Sequence, residues 1–198
     1  MNTLFSRSNS KPKDPKHVVD PYWEVADPKP DIQALFEEFN IKFFYGYLLP
    51  IDLKWTNRVS KKVGYFKHYE ITGKNEIRLN KPLLDLLPRK DTVQILLHEM
   101  IHYYLFIIGI PDINHGRAFQ NEMERINRES GANIPIRHPF QEEYEALKCH
   151  WWKCDGPCQE LIKRSRNAAP CSKAHKRKCA GNLIKIQEPA NKRSRSGL

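Results

Sequence analysis

The chain has 198 residues, 40% hydrophobic and 28% charged, with 33 Lys/Arg against 23 Asp/Glu and a formal net charge of +10. That length is enough for one domain with a real core plus a smaller module. No run of 18 apolar residues is present, which excludes a membrane-spanning helix, and the N-terminus, with Arg7, Lys11, Lys13 and several prolines, lacks the apolar stretch of a secretory signal.

The charge is uneven. Residues 146–198 hold 13 Lys/Arg against the three acids Asp155, Glu160 and Glu188, whereas residues 1–145 are balanced at 20 of each sign. A neutral front and a basic rear suit a catalytic domain carrying a polyanion-binding appendage; a basic tail that only aids solubility is the competing reading. Four of the five cysteines follow residue 150. An odd, clustered set points to metal binding in a reduced compartment rather than to a disulfide framework.

In chain order, residues 1–18 are polar and Pro/Lys-rich and read as disordered. Pro21–Val25 is apolar enough to dock on the domain. Asp31 is placed to cap a helix in which Ile32, Leu35, Phe36, Phe39 and Phe43 recur at helical spacing, with Gly46 ending the pattern. Ile51–Trp55, Val63–His68 and Glu76–Asn80 read as three strands of a small sheet, the last two joined by a turn at Thr72–Asn75. Its edge is suited to holding an extended peptide by strand addition. His68 reads as structural or exposed. Lys81–Leu87 is a short helical or turn segment.

Asp91–His102 is the centre of the chain. His98 and His102 stand four residues apart, so they share one helix face and can bind one zinc ion, and Glu99 can take a proton from a water at the metal. Ile95, Leu96, Leu97, Met100 and Ile101 bury the rest of this helix, for which Asp91 or Thr92 is the expected N-cap. His115, in a turn-rich connection, can return over the metal as a third ligand, leaving the open position that catalytic zinc requires. Arg117–Ser130 is then a packing helix with Phe119, Met123 and Ile126 on one face. His138 and His150 have no partner at ligand spacing and read as surface or capping residues.

Cys154-x3-Cys158 and His175-x3-Cys179 form a second constellation, two knuckles able to enclose one tetrahedral zinc. Asp155-Gly156-Pro157 supplies a turn and Gly181 follows the second pair. A site closed by four protein ligands is structural. Cys149 and Cys171 are left over, and either could replace a ligand. Around the knuckles lie Lys163, Arg164, Arg166, Lys173, Lys176, Arg177, Lys178, Lys192, Arg193 and Arg195, a density of cations that binds phosphate backbones with little sequence preference. Trp151 and Trp152 read first as core of the small module and second as surfaces for base stacking.

Leu96-Leu-His-Glu-Met-Ile-His102, His115-Gly116, Gly131-Ala-Asn133, Trp151-Trp152, Cys154-Asp-Gly-Pro-Cys158 and Gly181-Asn-Leu-Ile-Lys-Ile186 together resemble the SprT-like metalloproteases, within them the DNA-dependent branch that degrades proteins crosslinked to DNA. The likeness spans roughly residues 19–189. It implies an α+β fold, with helices packed on a small three-stranded sheet over residues 19–145, then a zinc-ribbon-like, DNA-contacting subdomain over 146–189 and a basic tail over 190–198. It implies catalytic zinc on His98, His102 and His115, with Glu99 as general base, and structural zinc on Cys154, Cys158, His175 and Cys179. It further implies a chromatin-associated nuclear protease acting in replication-coupled repair, switched on by single-stranded or junction DNA, and able to cleave itself. A longer tail would add a ubiquitin-dependent segregase, the sliding clamp and ubiquitin as partners. Three departures stand out: the loop between the zinc pairs is short and contains no aromatic residue, the family's long tail with its partner motifs is not recognisable, and Val63–Glu70 differs from the family pattern. A non-catalytic zinc-ribbon chromatin protein is the alternative, against which the presence of Glu99 argues; another SprT-type nuclear protease is a second.

Overall fold

The computed structural model describes residues 17–111, 114–137 and 140–187. Most of the 1–18 segment, His138, and the tail with Lys192, Arg193 and Arg195 lie outside the described residues. The chain divides into two compact units, one of Met1–Leu53, Phe66–Ile77 and Leu87–Ile136, the other of Lys54–Tyr65, Arg78–Leu86 and Arg137–Leu198. The elements are α1 (Tyr22–Ala26), α2 (Ile32–Phe43), β1 (Asp52–Thr56), β2 (Gly64–Tyr69), β3 (Lys74–Asn80), α3 (Lys81–Leu84), α4 (Arg89–Ile107), α5 (Arg117–Ser130), α6 (Gln141–Ala146), β4 (His150–Cys154), β5 (Leu161–Arg164), α7 (Ser172–Lys176) and β6 (Leu183–Ile186). The fold is α+β, with one three-stranded sheet in the order β1-β3-β2 and another in the order β5-β4-β6.

The first unit is built around α4. This helix buries residues on every side, from Val93 and Ile95 through Leu96, Leu97, Met100 and Ile101 to Tyr103, as a central core helix does. Against it pack α1, α2 and α5. The helix α2 buries the five residues whose spacing predicts its core face, and the Asp31 carboxylate accepts from the Gln33 and Ala34 amides as a side-chain N-cap. Beyond its end the Asn40 side chain pairs with both backbone groups of Leu48, so the 44–48 loop folds back on the helix. Phe119, Met123 and Ile126 line the buried side of α5, which closes at Gly131 with the left-handed backbone (φ 71°) that glycine adopts without steric cost.

The start of α4 differs from expectation. It begins at Arg89, and neither Asp91 nor Thr92 is its cap. Glu24, on α1, accepts hydrogen bonds from the Arg89 and Lys90 amides at 2.7 and 2.9 Å. A carboxylate from 65 residues away thus satisfies two amides that a helix N-terminus leaves unpaired, and it sits at the positive end of the helix dipole. Arg89 itself is buried, donates to Asp27 and to the Val18 carbonyl, and stacks on Trp23. The docking expected of Pro21–Val25 takes this form.

The second unit carries a sheet in which β4 is central and antiparallel to both neighbours, Trp152 facing Ile162 on β5 and Lys185 on β6. Trp152 is buried and anchors this small core. Trp151 is half-buried, donates its indole N–H to the Lys148 carbonyl and lies under Lys163. Both tryptophans therefore pack.

Candidate active site and second metal centre

Three imidazoles converge at α4. His98 and His102 lie one turn apart, and their Nε2 atoms are 3.1 Å from each other; His115 brings its Nε2 to 3.0 Å from that of His98. Those distances are too short for three rings that merely share a surface and suit donors aimed at one point. His98 Nδ1 lies 2.9 Å from the Pro135 carbonyl oxygen. A carbonyl only accepts, so Nδ1 carries the proton and the Nε2 lone pair is left for a metal. The segment that delivers Pro135 is itself held, the Asn133 amide donating to Gln94 Oε1 and the Ile134 amide to Asn127 Oδ1.

Phe119, fully buried, is the floor of the site. Its ring centroid is 4.8 Å from His98, 4.8 Å from His102 and 4.6 Å from His115. The third histidine arrives on unusual backbone. Asn114 and His115 are both left-handed, with φ of 56° and 58°, and the His115 carbonyl accepts from Gln120 one turn into α5. Glu99 follows His98 on α4 and is only 3% exposed. Among the described residues the metal-competent group here has three members, which leaves a coordination position for water or substrate.

The second cluster gathers Cys154, Cys158, His175 and Cys179, whose donor atoms all lie within 4.8 Å of one another. His175 Nε2 is 3.2 Å from Cys154 Sγ, and the two buried sulfurs of Cys154 and Cys179 are 3.7 Å apart. Each half is a knuckle: the Gly156 amide donates to Cys154 Sγ and the Gly181 amide to Cys179 Sγ, both two residues on. The two glycines touch. A Cβ on Gly181 would lie 2.5 Å from Cys154 Sγ and 2.6 Å from the Gly156 nitrogen. Burial pushes the Cys154 thiol up to about 11, whereas the Gly181 amide pulls Cys179 down to about 7. Thiols brought this close favour sharing a cation over remaining protonated together. His175 Nδ1 lies 2.9 Å from Glu160 Oε2, a carboxylate–imidazole pair that turns Nε2 toward the sulfurs. Cys149 and Cys171 are exposed and do not join the group.

Sequence reasoning missed Glu160 and the Pro135 carbonyl. Glu160 has a signal, as an acid two residues beyond Cys158 in a basic stretch. A backbone carbonyl has none. The basic residues separate into two sets. Lys163, Arg164 and Arg166 border a cleft with Tyr144, Lys148 and Ser165, and Lys173, Lys176, Arg177 and Lys178 lie exposed on and after α7.

An H-E-x-x-H helix with a third histidine from the loop beyond it, on an α+β scaffold, is the arrangement on which zinc peptidases are built. Residues 32–138 match the SprT-like family, and the chain belongs to that family. Relatives include the DNA-dependent metalloprotease SPRTN of Xenopus tropicalis, 46% identical over 187 residues (88% of this chain and 43% of the relative), and that of Homo sapiens, 43% identical over 187 residues (88% and 38%). The DNA-dependent metalloprotease dvc-1 of Caenorhabditis elegans is 44% identical over 189 residues, 87% of this chain and 51% of the relative. The chain spans between about two fifths and half of the length of these relatives. Among solved structures, the metallopeptidase zymogen jannalysin of Methanocaldococcus jannaschii aligns with 49% of this chain and 82% of its own at 30% identity, with a TM-score of 0.35.

Proposed function

We propose that this chain is a zinc metalloendopeptidase that requires DNA and cleaves proteins crosslinked to it. The observation that carries this reading is the convergence of three Nε2 atoms beside buried Glu99, with the His98 tautomer fixed by Pro135. The donor set fits zinc, with His98, His102 and His115 as ligands. When bound, zinc supplies a Lewis acid for the scissile carbonyl and acidifies water. Glu99 then acts as general base and general acid: it takes the proton of the attacking water and returns it to the leaving amine. Its burial limits competition from bulk solvent for that proton.

The second cluster suits a structural zinc on Cys154, Cys158, His175 and Cys179, since soft sulfur donors and a closed set leave no place for substrate. We assign residues 146–189 to a zinc-stabilised, DNA-contacting subdomain following the protease domain of residues 19–145. The basic residues from Lys163 to Lys178 and the relatives' name, DNA-dependent metalloprotease, support DNA as the activator. A nuclear, chromatin-associated location and self-cleavage follow from the same reading. Contacts with a segregase, the sliding clamp or ubiquitin are proposed only for a form extending beyond Leu198.

The test compares wild type with Glu99→Gln on a DNA-bound basic protein without DNA, with duplex DNA and with single-stranded DNA. Cleavage only with DNA, reduced by about 100-fold or more in the variant at unchanged zinc content, is expected. Equal cleavage without DNA would remove the DNA requirement. No cleavage under any condition, with DNA binding intact, would leave a binding module.

A further inference from the structure

In the second unit, Tyr144, Lys148, Lys163, Arg164, Ser165 and Arg166 line a cleft of about 280 Å³. Four of the six side chains are cations and none is an acid. The cations are held rather than loose. Arg164 donates to the Ala168 and Ala169 carbonyls and so clips the loop that presents Arg166. Lys163 sits 4.2 Å above the Trp151 ring and Lys148 sits 4.7 Å above that of Tyr144. The hydroxyls of Tyr144 and Ser165 add neutral donors.

A carboxylate borders this set. Glu145 is bonded to Lys148 at 2.6 Å. That hydrogen bond, with the nearby charges of Lys163 and Lys61, holds its carboxyl below the usual carboxylate range. Lys61 comes from the β1–β2 loop, where the Asn80 side-chain amide donates to the Ser60 and Lys62 carbonyls on either side of it.

We infer that this cleft is a phosphate-binding pocket for a nucleic-acid chain, and that Glu145 is an internal carboxylate which the phosphate displaces from Lys148. The inference rests on the DNA dependence proposed above and specifies it. The cleft joins Tyr144 and Lys148 to Lys163, Arg164 and Arg166, and Lys61 acts on the same Glu145 carboxylate. A phosphate offers more negative charge and more acceptor oxygens than one carboxylate, so exchange is favourable where several cations converge. Glu145 weakens that exchange by occupying a cation in the free protein. The pocket reads charge and not base identity, in keeping with the absence of aromatic residues between the zinc pairs.

The experiment is fluorescence anisotropy of the full chain with an internally labelled single-stranded oligonucleotide across a salt series, with zinc content checking the integrity of each variant. Lys148→Gln and Arg166→Gln are each expected to weaken binding several-fold and to flatten the log–log salt slope by about 0.7. Glu145→Gln is expected to tighten binding several-fold. An oligonucleotide with a terminal phosphate that binds like one without it identifies a backbone phosphate as occupant; a pocket-dependent gain from that phosphate identifies the terminal group. Wild-type DNA binding that none of the three variants alters overturns the pocket alone. So does displacement by polyglutamate at equal charge, which would make the pocket a site for acidic protein. Absence of any DNA binding by wild type overturns the DNA dependence together with the pocket.

Discussion

Both candidate metal centres use the same device at the scale of a single residue: an acceptor behind an imidazole decides which nitrogen faces the other donors. For His98 it is the Pro135 carbonyl, and for His175 it is the Glu160 carboxylate. Replacing Glu160 with Gln keeps a hydrogen-bonding group but removes the charge that raises ligand basicity. The second site should lose about 10- to 100-fold in zinc affinity, read by chelator competition, while the three-histidine site keeps its metal. Gly181→Ala is a harsher change, because its Cβ would collide with Cys154 Sγ and the Gly156 backbone. If both groups hold zinc as proposed, it should lower zinc content from two ions per chain to one, as elemental analysis would count. Which side chains converge was legible in the sequence, since His-x3-His, Cys-x3-Cys and His-x3-Cys are spacings that local geometry enforces. The orienting partners were not. Pro135 lies 37 residues from His98 and acts through its backbone, and Glu160 reaches His175 only once β4 and β5 have paired.

For the elements, long amphipathic helices were readable and short irregular pieces were not. Phe36, Phe39 and Phe43 fix the face of α2, and Phe119, Met123 and Ile126 fix that of α5, because each repeat exceeds two turns. The strands β5 and β6 have four residues each, too few for alternation to register, and they form because β4 templates them. The start of α4 escaped for another reason. A local rule seeks the cap among neighbouring residues, and here tertiary contact supplies it from α1. Glu24→Ala should uncap two amides and remove a favourable charge at the dipole. The expected cost is about 1 kcal/mol, or a fall in Tm of about 2–4 °C for a chain of this size, measurable by calorimetry. The loss should be stability alone, with the zinc content of both sites unchanged.

On the scale of the whole molecule, the two units rest on different sources of order. The first buries a continuous apolar core around α4, whereas the second buries Val63, Leu79, Leu83 and Leu84 and, in its C-terminal part, only a few large groups, chiefly Trp152, Cys154, His175 and Cys179. Stripping metal with a strong chelator should therefore abolish the near-ultraviolet circular dichroism of the Trp151–Trp152 region while most of the far-ultraviolet helical signal, from α2, α4 and α5, persists. Adding zinc back should restore the former. A helical signal that collapses with the aromatic one would show that metal organises both units. The left-handed pair Asn114 and His115 bears on how the first unit holds its ion. Two consecutive non-glycine residues in that region cost about 1 kcal/mol or more each, and a bound ion is the natural counterweight. Withdraw the ion and the loop has reason to relax, carrying His115 away and leaving two ligands where there were three. Each metal-free molecule then has to restore His115 before it can bind, so the zinc curve should keep the shape of a single site but lie at higher free zinc than a preformed triad would give, and a substitution that favours the left-handed backbone should move it back.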